Sequence, residues 1–224
     1  MPNFLSVETI FFTVLGYSVS YVEFFGTVLY FASVWLIAKK NSLTWPVGIV
    51  SVILYFALFY QYQLYSDAME QIYYLFASVY GWWAWNRIQK KGAGLPSGFS
   101  KKSVMAIWAS CNLILGLALG FVMSNIHLWI PSLFPSAASY AYLDAVTTVM
   151  SFSAMWLLTL RRAESWIYWI IVDIAAIYLY FTKGIAFVGL QYIALTAMAV
   201  YGLFNWYRSR EGMHSNTKEE LENA

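Results

Sequence analysis

The chain has 224 residues, of which 61% are hydrophobic and 11% charged, with a net charge of +2. A soluble domain carries roughly a quarter charged residues, so this composition excludes an ordinary water-facing surface and calls for lipid. The single cysteine, Cys111, excludes a disulfide framework or a cysteine-rich metal centre within one chain.

Residues 4–19 are apolar but short and carry Glu8, which reads as an interfacial helix at the membrane surface within an N-terminal segment 1–20. Glu8 stands where a signal peptide would be basic, and no small-residue cleavage site follows, so no cleavable leader is expected. Crossing the hydrocarbon core takes about 20 apolar residues. Seven stretches qualify: 21–38, 45–63, 67–86, 103–123, 140–160, 166–182 and 186–207. The expected class is therefore an all-α membrane protein with seven transmembrane helices. Between the third and fourth lies a linker over 87–102, rich in glycine. Cys111 reads as a small buried hydrophobe, and His127 and His214 fall in expected loops. A polar, flexible tail is expected over 208–224.

Following alternate loops, one side receives Lys39, Lys40, Arg87, Lys90, Lys91, Lys101, Lys102, Arg161, Arg162, Arg208, Arg210 and Lys218, and the other only Lys183. The positive-inside rule makes the first side cytoplasmic, which puts the N-terminus outside and the C-terminus inside.

The chain also resembles itself at an offset of 121 residues. Trp35, Trp45 and Trp85 align with Trp156, Trp166 and Trp206, and Tyr80-Gly81 with Tyr201-Gly202. Ile49 and Ile53 align with Ile170 and Ile174, and Glu23 and Thr27 with Asp144 and Thr148. The repeats are 21–86 and 140–207, three helices each, with the helix 103–123 linking them. One intervening span restores the chain's direction, so this 3+1+3 order predicts parallel repeats, an architecture of transporters with a site near midplane.

Ionisable groups inside spans are costly and face a bundle interior or a water path. In the sixth span Trp166, Trp169, Asp173 and Tyr180 fall on one helical stripe. In the third, Asp67, Gln71, Tyr74 and Ser78 form a second stripe, with Glu70 about 100° round from Gln71. Gln191 and Asn205 of the seventh span, and Trp45, Tyr55 and Phe59 of the second, complete the set. Acid, amide and aromatic faces together suit a flat, polar solute. Each has a structural alternative: Asp67 suits a helix cap, Asp173 a bond to a neighbouring helix, and Trp45, Trp85, Trp166 and Trp206 an interfacial belt. No span holds a histidine, a nucleophile–base pair or a metal-ligand cluster, so an enzyme is not expected, nor a cofactor.

The segment Tyr65-Ser-Asp67-Ala-Met-Glu70-Gln71-Ile-Tyr73-Tyr74, followed by Gly81-Trp82-Trp83-Ala-Trp85, resembles the PnuC-type nicotinamide riboside transporters. Trp166-Ile-Tyr168-Trp169-Ile-Ile-Val-Asp173 is similar to that family's W-x-x-W-x-x-x-D signature, and the resemblance spans residues 21–207. It implies a homotrimer in the bacterial inner membrane that takes up nicotinamide riboside, an NAD precursor. It further implies facilitated diffusion without ion coupling, with a cytoplasmic kinase trapping the solute. Trp169, Asp173, Gln71 and Tyr74 are then the implied substrate contacts, with Gln191, Asp67, Tyr55 and Glu70 as further candidates. Glu70 stands where the family often has an apolar residue, and relatives of this fold carry thiamine or riboflavin. The alternatives are thus a related vitamin carrier or a proton- or sodium-coupled transporter with Asp173 or Glu70 titrating. Apart from solute, lipid and further copies of itself, no partner is expected, nucleic acid included.

Overall fold

The structure is a computed structural model that describes residues 4–14, 16–62, 65–90, 98–132, 140–182 and 186–222. Among these are seven helices: α1 Tyr21–Ala38, α2 Thr44–Gln61, α3 Tyr65–Gln89, α4 Lys102–Trp129, α5 Ala141–Thr159, α6 Glu164–Thr182 and α7 Ala186–Glu222. By length and apolarity alone, α1, α2, α4 and α5 are sufficient to cross a membrane. The polar candidate residues lie mostly on α3, α6 and α7.

The expected interfacial helix is instead a hairpin, β1 Ile10–Val14 paired antiparallel with β2 Tyr17–Ser20. The run Ile-Phe-Phe-Thr-Val is β-branched and aromatic, which suits a strand. Gly16 supplies the turn at φ +82°, a conformation open to glycine without strain. The hairpin leads straight into α1. Ser20 caps that helix, accepting from the Glu23 amide at 3.3 Å, the Ser-x-x-Glu pattern of a capping box. Glu23 does not complete the box; its Oε1 accepts the Tyr17 hydroxyl at 2.7 Å.

The chain falls into two compact units, 1–96 and 97–224. In the first, α1 packs on α2 and α2 on α3; in the second, α4 packs on α5, α5 on α6 and α6 on α7. The linking helix thus belongs with the second repeat. Gly116 and Gly120 allow its close approach to α5: a Cβ on Gly116 would stand 2.9 Å from the Val146 Cα, and one on Gly120 3.0 Å from the Tyr142 Cα.

Each unit carries the same helix end. After α1, Lys40 takes φ 57°, its amide bonds Ile37 O at 2.9 Å, and the Asn41 amide bonds Leu36 O at 2.9 Å. After α5, Arg161 takes φ 59°, its amide bonds Leu158 O at 3.0 Å, and the Arg162 amide bonds Leu157 O at 2.9 Å. Both are Schellman motifs, with a basic residue in the left-handed position usually held by glycine. The positions are 121 residues apart, the offset of the repeat.

Three expectations are corrected here. Cys111 is exposed on α4, because apolar side chains on a lipid-facing helix need no protein cover. His127 lies in the last turn of α4, which runs six residues past its expected end at 123. The tail expected over 208–224 continues α7 as helix to Glu222; it holds no proline, and Arg, Glu and Lys are good helix formers.

Candidate functional site

The tryptophans expected in an interfacial belt are instead the largest fully buried side chains among the described residues. Trp45 and Trp85 are 2% and 0% exposed, and Trp166 and Trp206 are 1% and 0%. Trp45 meets Trp85 edge-on at 5.2 Å and 87°, and Trp166 meets Trp206 at 5.7 Å and 87°. Gly81 and Gly202 make the room: a Cβ on Gly202 would lie 2.7 Å from Trp166 Cζ2, and one on Gly81 2.6 Å from Trp45 Cζ2. A glycine one helical turn before each α3 or α7 tryptophan is what lets the partner indole in. Exposed indoles under a cation fit the belt better, as where Lys39 Nζ stands 4.4 Å from the Trp35 ring.

In the second unit the clamp fixes the start of α6. Trp169 and Asp173 follow on that helix at i, i+4 spacing and share a face. Asp173 is 4% exposed. Trp169 is half-buried, and its indole Nε1 is enclosed without a hydrogen-bond partner. Gln191 lies half-buried on α7. The side chain of Tyr180 lies outside the described residues.

In the first unit Gln71 and Ser78 are buried on α3 and Tyr74 is half-buried. Glu70 does not face away from them: the Tyr74 hydroxyl donates to its Oε2 at 3.4 Å, one turn along. The side chain of Asp67 lies outside the described residues. On α2 the Tyr55 ring lies parallel to Phe59 at 5.5 Å and edge-on to Tyr30 at 5.9 Å, and its hydroxyl bonds Thr27 Oγ1 at 2.9 Å. That partnership was missed; the only signal was Thr27's match to Thr148 in the repeat.

The repeats diverge where the polar face begins. At positions equivalent to Trp169 and Asp173, the first unit has Gly48 and Val52. Gly48 packs against α1, where a Cβ would stand 2.9 Å from Ser33 Oγ. Thr44 Oγ1 donates to Ser33 O at 2.8 Å, and Ser51 Oγ to Gly26 O at 2.9 Å, so polar atoms at this interface bond α2 to α1.

Residues 20–208 match the family described as "Nicotinamide mononucleotide transporter". The chain belongs to this family. It is 26% identical over 212 residues to the nicotinamide riboside transporter PnuC of Escherichia coli, covering 87% of this chain and 88% of that one. It is 29% identical over 210 residues to the riboflavin/roseoflavin transporter RibM of Streptomyces davaonensis, covering 93% and 94%. Its fold is similar to that of a crystal structure of the vitamin B3 transporter PnuC, with a TM-score of 0.62 and 21% identity over 84% of this chain and 80% of that one. The protein is a PnuC-type membrane transporter with an apolar helical body.

Proposed function

We propose that the protein carries nicotinamide riboside across the bacterial inner membrane by facilitated diffusion. The observation that carries this reading is the buried Asp173 beside Trp169 on α6, in a chain that matches a nicotinamide riboside transporter over nearly its whole length. Nicotinamide riboside is a flat pyridinium cation bearing ribose hydroxyls. A carboxylate answers its charge, an indole face its ring, and amides or hydroxyls its ribose and carboxamide. In this reading Trp169 and Asp173 hold the ring, and Gln71, Tyr74, Gln191, Tyr55, Glu70 and Asp67 supply the polar contacts.

The transport cycle we infer is alternating access, with the two repeats parallel in a 3+1+3 order and rocking about a midplane site. From the basic loops we infer, by the positive-inside rule, an N-terminus outside and a C-terminus in the cytoplasm. A carrier without ion coupling cannot concentrate its solute, so cytoplasmic phosphorylation sets the direction of net flow. Assembly as a homotrimer belongs to the same reading.

The likeness to a riboflavin transporter supports a second reading, in which the ring carried is a flavin. Calorimetry on purified protein with nicotinamide riboside, nicotinamide mononucleotide, thiamine and riboflavin separates them. Riboside binding with rejection of the mononucleotide is expected, because no lysine or arginine lies within the expected spans to offset a phosphate. Tighter binding of riboflavin than of the riboside rejects the first reading in favour of the second.

A further inference from the structure

Glu164 opens α6 and is 2% exposed, the most enclosed acid among the described residues. It lies two residues before Trp166 and on the helix that bears Trp169 and Asp173. Both carboxylate oxygens accept the Ser100 amide, at 3.3 and 3.2 Å. Two backbone bonds flank it: the Gly98 amide to Arg161 O at 3.4 Å, and the Ala163 amide to Gly98 O at 3.0 Å. Gly98 and Arg162 thereby form a parallel bridge, and α4 begins two residues after Ser100. The approach to α4 is thus fastened to the turn from which α6 starts. A buried acid is retained when hydrogen bonds and a helix N-terminus compensate it, and Glu164 has both.

Among the described residues of the first repeat no such device is present. The equivalent residue is Leu43, exposed, at the start of α2 with no side-chain cap. The latch therefore distinguishes the second repeat from the first, at the point where the linking helix meets the helix of the polar face.

We infer that Glu164 is a positioning residue for transport: by holding Ser100 it makes α4 travel with α6, so that the linking helix and the helix of Trp169 and Asp173 move as one body. This rests on the riboside-carrier reading for its transport assay, but the latch itself is read without any solute. In full-length protein, Glu164→Leu is expected to speed exchange of the Ser100 amide about tenfold, the effect of removing an acceptor from a half-buried donor. Glu164→Gln keeps an acceptor oxygen and most of the protection. Unchanged Ser100 exchange in Glu164→Leu overturns the latch. In proteoliposomes Glu164→Leu is expected to lower the maximal rate of riboside uptake about tenfold with KM within about twofold, and Glu164→Gln to restore it. A KM increase with the maximal rate intact overturns the coupling, since it would make Glu164 act on binding.

A cross-link tests the same point with Glu164 in place. Gly98→Cys and Arg162→Cys, in a Cys111→Ala background, stand across a bridge at a separation suited to a disulfide. Equal uptake by oxidised and reduced protein is expected, because the latch stays shut through the cycle. Uptake lost on oxidation and regained on reduction overturns the inference. Absence of uptake by the wild type refutes the riboside reading alone, leaving Ser100 exchange to judge the latch.

Discussion

Gly202 lies against the six-membered ring of Trp166, close enough that a methyl group there would overlap the indole at 2.7 Å. Trp166 cannot yield, since it is enclosed and braced edge-on by Trp206. Gly202→Ala, and Gly81→Ala at the equivalent clamp, are expected to cost about 1–3 kcal/mol by overpacking. Gly26→Ala is the control: its Cβ would meet Leu54 Cβ at 3.5 Å, an ordinary contact. Thermal unfolding in detergent should rank both clamp variants well below Gly26→Ala; equal midpoints would refute the clamp.

Asp173→Asn keeps the shape of the buried side chain and removes its charge. Loss of attraction to a pyridinium is expected to weaken riboside binding by about tenfold or more, while unfolding shifts to higher temperature because an enclosed carboxylate no longer has to be sheltered. Calorimetry and thermal unfolding check the two halves. Retained affinity, with the response to an imposed proton gradient lost, would instead make Asp173 a coupling group and the protein an ion-driven carrier.

Thr27 holds the Tyr55 hydroxyl at 2.9 Å. With Tyr55 in the proposed site, Thr27→Val frees the ring and is expected to weaken riboside binding about two- to tenfold, the worth of one hydrogen bond. Thr27→Ser should restore it. Equal affinity in all three proteins would remove Tyr55 from the site.

Burial pushes the Lys40 ammonium down from 10.5 to about 8. Below pH 8 both folded and unfolded chains carry the proton, and the cost of enclosing the charge is fully present. Between pH 8 and 10.5 the unfolded chain binds more protons than the folded one, so stability is expected to rise with pH across that window. The rise should be absent from Lys40→Gln. Unfolding midpoints measured at pH 7, 8.5 and 10 would show the difference, and parallel profiles would refute it.

The helical body was legible in the residues because apolar length dominates in a membrane chain. α1 begins and ends as expected, and α2, α5 and α6 differ by no more than two residues at either end. The tryptophan spacing that marked the repeat also marks a structural unit, since Trp45, Gly81 and Trp85 form the same clamp as Trp166, Gly202 and Trp206. Other features were hidden for physical reasons. The hairpin was overlooked because an apolar run of that length suits either a strand pair or a surface helix, and its β-branched content decided the matter. The enclosure of Trp45 and Trp166 depends on glycines 36 residues further along, a tertiary fact that hydropathy does not carry. Glu164 reads as one acid after two arginines, and its partner lies 64 residues earlier.

The two repeats share their turns and indole clamps but not the middle of their second helices, where Gly48 and Val52 face Trp169 and Asp173 in the alignment. At these aligned positions only the second repeat carries an acid, Asp173. In the proposed site a cation therefore meets two unequal repeats, and a single riboside per polypeptide is the stoichiometry expected of it.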